Sequence, residues 1–436
     1  MLRSMSSDEG FRGLGDALDA AEDASPVEAV ESVTQSLGTA LGATSVSFLI
    51  SDLSGRALVR LSHVPLGVAA AVPGRLARGE RRNAEESATV LPFDGGPHEQ
   101  AVRTQTVQVL RPVEPGDGAA GDENSGLWRV IAPVTERGEA IGLLELMLPT
   151  SPDTATVDEI ARAAHLLAFV VIANRRHTDL FEWGRRSREF SLSAEIQQRL
   201  LPGSYTCEAG SFTLSAWLEP AASVGGDTFD YSLARDELQL SLTDAMGHGV
   251  SSALTASLCV GSLRGSRRLG LPLVEQARIA DEALRAHATE IVHEGFVTGL
   301  LGRLDLRTGL LELVNAGHVA PFLARDGAIR TIDLPPALPL GLFPDTVYVG
   351  STLELLPRDR VVFVTDGMLE RDAAALDLPA MIRETASLHA RETVRWLADR
   401  VLDLTGHALS DDATLLVLDW HGDHGRERNS VAGADS

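Results

Sequence analysis

Apolar residues recur at helical spacing over 26–41, where Val27, Val30, Val33, Leu37 and Leu41 fall on one face. The period then shortens to two. Residues 45–51, 57–63, 101–109, 127–134 and 140–147 read as strands, with Asp52-Leu53-Ser54-Gly55 as a hairpin turn and 112–126 as a surface loop rich in Pro, Gly, Asp and Asn. A helix begins near Thr156, and 158–201 reads as one long helical stretch with a break near Gly184 and a stop at Pro202. Leu166, Ala173 and Leu180 are spaced by seven, while Leu192, Ile196 and Leu200 are spaced by four, which suits a helix that pairs with a partner or a domain.

From 211 to 420 the pattern becomes strands with interspersed helices. Leu238, Leu240 and Leu242 alternate with polar neighbours and end just before Asp244. Helices are predicted over 249–263, 272–291 and 391–405, and strands over 296–305, 310–315, 360–364 and 414–420. This order predicts an α+β layered sandwich. The stretches 1–24 and 421–436 are polar and predict a flexible arm and a disordered tail.

The chain has 436 residues, which suits two or three domains, and a net charge of −23. That charge argues against nucleic acid and against an anionic membrane as partners. All 38 basic residues are arginine, so there is no P-loop, Schiff-base or protein-kinase lysine. Cys207 and Cys259 are too few for a disulfide framework or a zinc site and read as small buried hydrophobes in a reducing cytoplasm. The polar N-terminus has no signal peptide, and the apolar run at 166–173 is too short to span a bilayer. A soluble cytoplasmic protein is expected.

Four aspartates sit at turns beside strand-like runs: Asp227 in Val224-Gly225-Gly226-Asp227, Asp244 in Thr243-Asp244-Ala245-Met246-Gly247-His248-Gly249, Asp366 in Val364-Thr365-Asp366-Gly367, and Asp411 in Ser410-Asp411-Asp412-Ala413-Thr414. Magnesium and manganese prefer oxygen ligands, so carboxylates gathered at strand ends point to a two-metal hydrolase. Any one of these aspartates alone reads as a turn residue.

Over 190–420 the chain resembles the metal-dependent phosphatases of the PP2C superfamily, in the SpoIIE-type branch of sporulation and stress regulators. The resemblance runs in order through Ala194-Glu195-Ile196-Gln197-Gln198-Arg199-Leu200-Leu201-Pro202, the four aspartate motifs, Asn315-Ala316-Gly317-His318 and Pro339-Leu340-Gly341. It implies an αββα sandwich and serine/threonine phosphatase activity with two Mn²⁺ or Mg²⁺ ions. Asp244 would bridge the ions with help from the Ala245 carbonyl. Asp227 would complete one ion site, and Asp366 and Asp411 the other; Asp244 and Asp366 are the catalytic pair. Gly226 stands where eukaryotic PP2C enzymes have Glu, which fits the SpoIIE-type pattern. Asp230, His248 and Asp412 are candidates for a supporting shell, while His318 and Glu370 read as structural, and Arg371 is the one candidate for holding phosphate.

The resemblance also casts 194–202 as a switch helix, with Ile196, Gln197 and Leu200 as its coupling residues. The expected substrate is a phosphorylated STAS-domain anti-anti-sigma protein. The order of elements over 25–175, with Ile131-Ala132-Pro133-Val134 and Gly142-Leu143-Leu144-Glu145, resembles a GAF sensor domain, a PAS-like sensor or a plain dimerisation domain being the other readings. The domain expectation is an arm at 1–24, a GAF-like sensor at 25–175, a helical linker at 176–202, the phosphatase at 203–420 and a tail at 421–436. A homodimer is expected, with an unknown ligand or upstream protein acting on the sensor. Other readings are a pseudophosphatase scaffold and a different two-metal phosphohydrolase.

Overall fold

The computed structural model describes residues 18–52, 57–66, 90–112, 126–185, 191–220, 226–291, 295–369, 377–406, 409, 411–422 and 433–434. The chain packs as two units, unit 1 from 1–189 with 428–436, and unit 2 from 190–427.

Unit 1 is built on a six-stranded antiparallel sheet of order β3-β2-β1-β6-β5-β4. Its strands are β1 (Ser45–Ser51), β2 (Ala57–Pro65), β3 (Val90–Pro92), β4 (Gln108–Leu110), β5 (Trp128–Glu136) and β6 (Glu139–Leu148). Alternation sends Val46, Phe48, Ile50, Leu144 and Leu146 to one face, where they pack with α1 (Ala29–Ala40) and α3 (Thr154–Asn174). Leu49, Leu58, Ile131 and Leu143 line the other face with Ala101 of α2 (Pro97–Thr104).

Helix α2 replaces the strand expected over 101–109, of which only β4 is extended. Pro97 occupies the first turn, where its missing N–H costs nothing. Glu99 accepts from the Gly95 amide at 2.6 Å and pairs with Arg103 one turn on. These local bonds outweigh the alternating pattern. The long helix is also shorter than expected. It ends at Asn174, passes through a 3₁₀ turn (Arg175–His177), and restarts as α4 (Leu180–Gly184). Thr178 is extended there, and its hydroxyl accepts from the Leu180 amide at 3.1 Å. That cap breaks the seven-residue spacing before Leu180. Of the expected tail, the His421 amide donates to the Ser211 carbonyl and its ring is bonded to Thr213, and Gly433 accepts from the Gly138 amide at 3.4 Å; residues 423–432 and 435–436 lie outside the described residues. The arm through residue 17 and most of the 112–126 loop fall outside the described residues.

Unit 2 stacks helices, sheet, sheet and helices. One sheet runs β15-β12-β11-β10-β9 and the other β14-β13-β16-β17-β8-β7, with antiparallel neighbours throughout. The first contains β9 (Thr228–Leu233), β10 (Glu237–Ala245), β11 (Val297–Asp305), β12 (Leu310–Ala316) and β15 (Gly350–Glu354). The second contains β7 (Thr206–Glu208), β8 (Phe212–Glu219), β13 (Phe322–Arg325), β14 (Ala328–Thr331), β16 (Arg360–Val364) and β17 (Ala413–Trp420). Phe212, Phe229 and Phe363 fill the space between the sheets, each worth about 1.5–3 kcal/mol of apolar burial. Helices α6 (Val250–Arg268) and α7 (Leu273–Ile291) cover the five-stranded sheet, while α8 (Leu378–Glu384) and α9 (Ala390–Leu404) cover the other. Helix α5 (Leu192–Leu200) packs chiefly on α6. No helix among the described residues is long and apolar enough to cross a membrane.

One buried arginine ties the outer helices to the six-stranded sheet. Arg360 on β16 forks onto Asp419 of β17 and donates to the carbonyls of Thr385 and Leu388 and to the Thr393 hydroxyl. Arg360→Ala strands all of these acceptors, so urea unfolding should show a loss of about 3–5 kcal/mol. Arg360→Lys should recover only part of it, because an ammonium cannot reproduce the fork.

Candidate metal centre

The aspartates are delivered in pairs, one pair from each sheet. Thr243 of β10 pairs with Thr228 of β9, so Asp244 and Asp227 leave neighbouring strands at the same end. Val364 of β16 pairs with Leu415 of β17, which places Asp366 just after one strand and Asp411 and Asp412 just before the next. Two glycines let the motifs approach. A Cβ on Gly226 would collide with the carbonyl oxygen of Ala245, and one on Gly367 with that of Asp412. The Ala245 amide donates to the Gly226 carbonyl at 3.3 Å across the first contact.

Hydroxyls stitch the pairs together. Thr365 and Thr414 both donate to the Asp227 carboxylate, at 2.8 and 2.5 Å. Thr365 in turn accepts from the Thr414 amide at 2.9 Å. Asp227, leaving one sheet, is thus held by the threonines that flank Asp366 and Asp412 on the other. These threonines were not singled out from the sequence, although each adjoins a motif aspartate or follows it by two.

Electrostatically the cluster is one-sided. Burial pushes Asp227 well above the usual carboxylate range, and the charges of Asp244 and Asp412 push it further against the two threonine bonds. Burial, then Asp366, Asp411 and Asp412, raise Asp244 to about 7. Asp227 and Asp244, raised by burial and by the carboxylates beside them, belong to a donor set that a hard divalent cation relieves, while Asp366 is exposed and Asp411 half-buried. No three His, Cys, Asp or Glu side chains among the described residues stand close enough to enclose one ion, so filling the centre needs side-chain adjustment.

The remaining sequence candidates divide. Asp412 is buried and accepts from the Gln197 side chain at 2.6 Å; the same nitrogen donates to the Asp227 carbonyl at 2.8 Å. Gln197 of α5 therefore touches the centre directly, whereas Ile196 and Leu200 are half-buried, Leu200 against the α6–α7 layer. Asp230 is held by arginine: both its oxygens take guanidinium donors from Arg264 and Arg267 of α6. Arg264 also donates to the Leu200 carbonyl at 2.6 Å, an anchor for the end of α5 that the sequence did not reveal. His248 is exposed on the loop before α6. His318 is buried, bonded to Thr298 at 2.7 Å, and has its backbone closed by the Asn315 side chain. Burial pushes it down to about 4, so it stays neutral at physiological pH and serves the turn. Val224, Gly225, Glu370, Arg371 and Ser410 lie outside the described residues.

The layered sandwich and its aspartate cluster define a PP2C-type phosphatase domain. Residues 234–421 match the family model of stage II sporulation protein E (SpoIIE), and this part of the chain is a SpoIIE-type domain. The match takes in Asp244, Asp366 and Asp411 and begins after Asp227. Phosphoserine phosphatase RsbU of Bacillus subtilis is 24% identical over 240 residues, which is 53% of this chain and 69% of that protein. Phosphoserine phosphatase RsbP of the same organism is 22% identical over 241 residues, 53% of this chain and 58% of its own. Among solved structures, the RsbU and RsbW domains of a Mycobacterium tuberculosis protein align with TM-score 0.44 and 27% identity, over 50% of this chain and 62% of that one.

Two outcomes follow from the geometry. Gly367→Ala should force the Asp366 turn away from the Asp412 backbone and cost about 1–3 kcal/mol in urea unfolding. In metal-free protein the folded state holds the Asp244 proton more tightly than the unfolded chain does. That contribution is full below the ordinary value of 3.8 and is lost as pH rises through about 7. Denaturation across this range should show a smaller loss of stability with rising pH for Asp244→Asn than for wild type.

Proposed function

We propose that this chain is a protein serine/threonine phosphatase whose C-terminal domain hydrolyses a phosphoserine or phosphothreonine, under control of unit 1 through α5. The observation that carries the proposal is the gathering of Asp227, Asp244, Asp366 and Asp411 at one end of two stacked sheets, where Asp227 and Asp244 are raised by burial and by neighbouring carboxylates. In this reading Asp244 and the Ala245 carbonyl would serve both ions, Asp227 would hold one, and Asp366 and Asp411 would hold the other. Two Mn²⁺ or Mg²⁺ ions bound there supply an activated water and neutralise phosphoryl charge. The chain's own part is to fix the carboxylates. Thr365 and Thr414 hold one oxygen of Asp227. Gln197 holds Asp412 and the Asp227 backbone. No covalent nucleophile is called for, which agrees with two cysteines that are both buried.

The substrate we assign is a phosphorylated STAS-domain anti-anti-sigma protein, supported by the likeness to RsbU and RsbP. The sensor is unit 1, read as GAF-like, and a homodimer is supported by the half-exposed stripe of Leu166, Phe169 and Ala173 along α3. A pseudophosphatase scaffold is the alternative reading; among the described residues no three His, Cys, Asp or Glu side chains stand close enough to enclose one ion.

Manganese-dependent hydrolysis of p-nitrophenyl phosphate separates the two. Wild type should turn over, and Asp244→Asn should lose at least about a hundredfold in rate, of the order seen when one charge-stabilising group is removed. A folded wild type that is inert with manganese, on this substrate and on a phosphoserine protein, sinks the phosphatase reading. Gln197→Leu should shift basal activity with unchanged fold, and Ile196→Ala or Leu200→Ala should do so without touching a ligand. Equal activity and oligomeric state in all of them removes the switch.

A further inference from the structure

We propose that the face of the unit 1 sheet turned toward α2 binds a small molecule through an oxyanion, a carboxylate or phosphate group, gripped by Arg60 and Arg129. The site stands on unit 1 alone and is independent of the phosphatase reading. Its centre is Glu145 on β6, in register with Ile131 of β5 on one side and Ser47 of β1 on the other. Leu49, Leu58, Ile131 and Leu143 are the apolar residues of that face. A carboxylate among such neighbours is costly unless it is paired.

Three basic groups converge on it from separate elements. His98 of α2 lies 2.8 Å from its carboxylate, Arg60 of β2 at 3.6 Å and Arg129 of β5 at 3.9 Å. Burial alone would raise Glu145, and His98, Arg129 and Arg60 together hold it below the ordinary range, so it stays an anion. The arrangement does more than neutralise one charge. Two arginines face one carboxylate, leaving net positive charge in a chain of net charge −23.

The arginines are also under-used. At 3.6 and 3.9 Å they reach Glu145 as ion pairs and not as hydrogen bonds. Arg60 Nε is closed off from solvent and has no hydrogen-bond acceptor among the described residues. A guanidinium carries five donors in a planar fork that fits a carboxylate or phosphate edge with two parallel bonds. The side chains of Arg60 and Arg129 are each 35% exposed and that of His98 24%, while Glu145 keeps 9%. The acid is sunk as the holder, and the two arginine side chains stay partly exposed, although Arg60 Nε itself is covered. Glu145 is thus a positioning residue, and the two arginines are the ligand contacts.

Titration calorimetry on the full chain tests this, in an Asp244→Asn background stripped of metal so that the phosphatase centre does not compete. Inorganic phosphate and succinate serve as separate probes. At least one should bind, and the double variant Arg60→Ala with Arg129→Ala should weaken it about tenfold or more, roughly one charge-assisted bond or more. Arg60→Lys with Arg129→Lys keeps the charge without the fork and should fall between; it also serves as the judge if the alanine pair does not fold. Tighter phosphate binding assigns a phosphorylated ligand, and tighter succinate binding a carboxylate. Absence of binding by both probes overturns the site, as does undiminished affinity in either folded double variant.

Discussion

Mutual repulsion among buried carboxylates is the constraint around which unit 2 is arranged. Asp227 and Asp244 are brought beside Asp412 in a setting that penalises their charge, and Asp244 is raised to about 7 as a result. Such a cluster persists only if something rigid holds it against its own field. Here the sheets do so. β9 and β10 present one pair, β16 and β17 the other, and the two large phenylalanine-filled inner faces keep those strand ends at fixed separation. The close approaches at Gly226 and Gly367 then work as spacers: with no Cβ in the way, backbone reaches backbone, and the carboxylates follow.

The threonine bonds add direction to that frame. Thr365 and Thr414 commit one Asp227 oxygen to hydroxyls and so fix the orientation of the whole side chain. A carboxylate fixed by neutral donors keeps its negative charge available, whereas one fixed by arginine does not. Asp230, three residues farther on in β9, makes the contrast. It is also buried, yet Arg264 and Arg267 satisfy both its oxygens, and it becomes a strut between β9, α6 and the end of α5. Partner type, more than burial, separates a candidate ligand from a structural acid in this domain.

That distinction also marks what was legible in the sequence. Asp244 and Asp366 were legible because each follows a strand-like apolar run and falls in an ordered set of motifs; alone, each reads as a turn residue. The fate of Asp230 was not visible, because its partners lie 34 and 37 residues away on a helix whose facing was unknown. Helix α2 was missed for a different reason. Over 101–109 the side chains alternate well enough for a strand, but Pro97 and the Glu99 bonds lie upstream and decide the matter locally. The break at Thr178 is of the same kind, a single hydroxyl cap against a seven-residue pattern. Periodicity reports which face is buried; it does not report which backbone ends are capped.

Helix α5 is where the two kinds of information meet. Its spacing of apolar residues foretold a packed helix, and it does pack on α6, but its connection to the aspartates runs through a polar side chain. Gln197 spends one nitrogen on both the Asp227 carbonyl and the Asp412 carboxylate. Arg264 meanwhile grips the last carbonyl of the helix. Moving α5 by a fraction of a turn would break bonds to two motifs and to the Asp230 strut together, and a buried amide or carboxylate left without its partner costs about 1–3 kcal/mol. The helix and the carboxylate cluster are therefore coupled by a cost large enough to shift a population several-fold, in whichever direction the packing of α5 is biased.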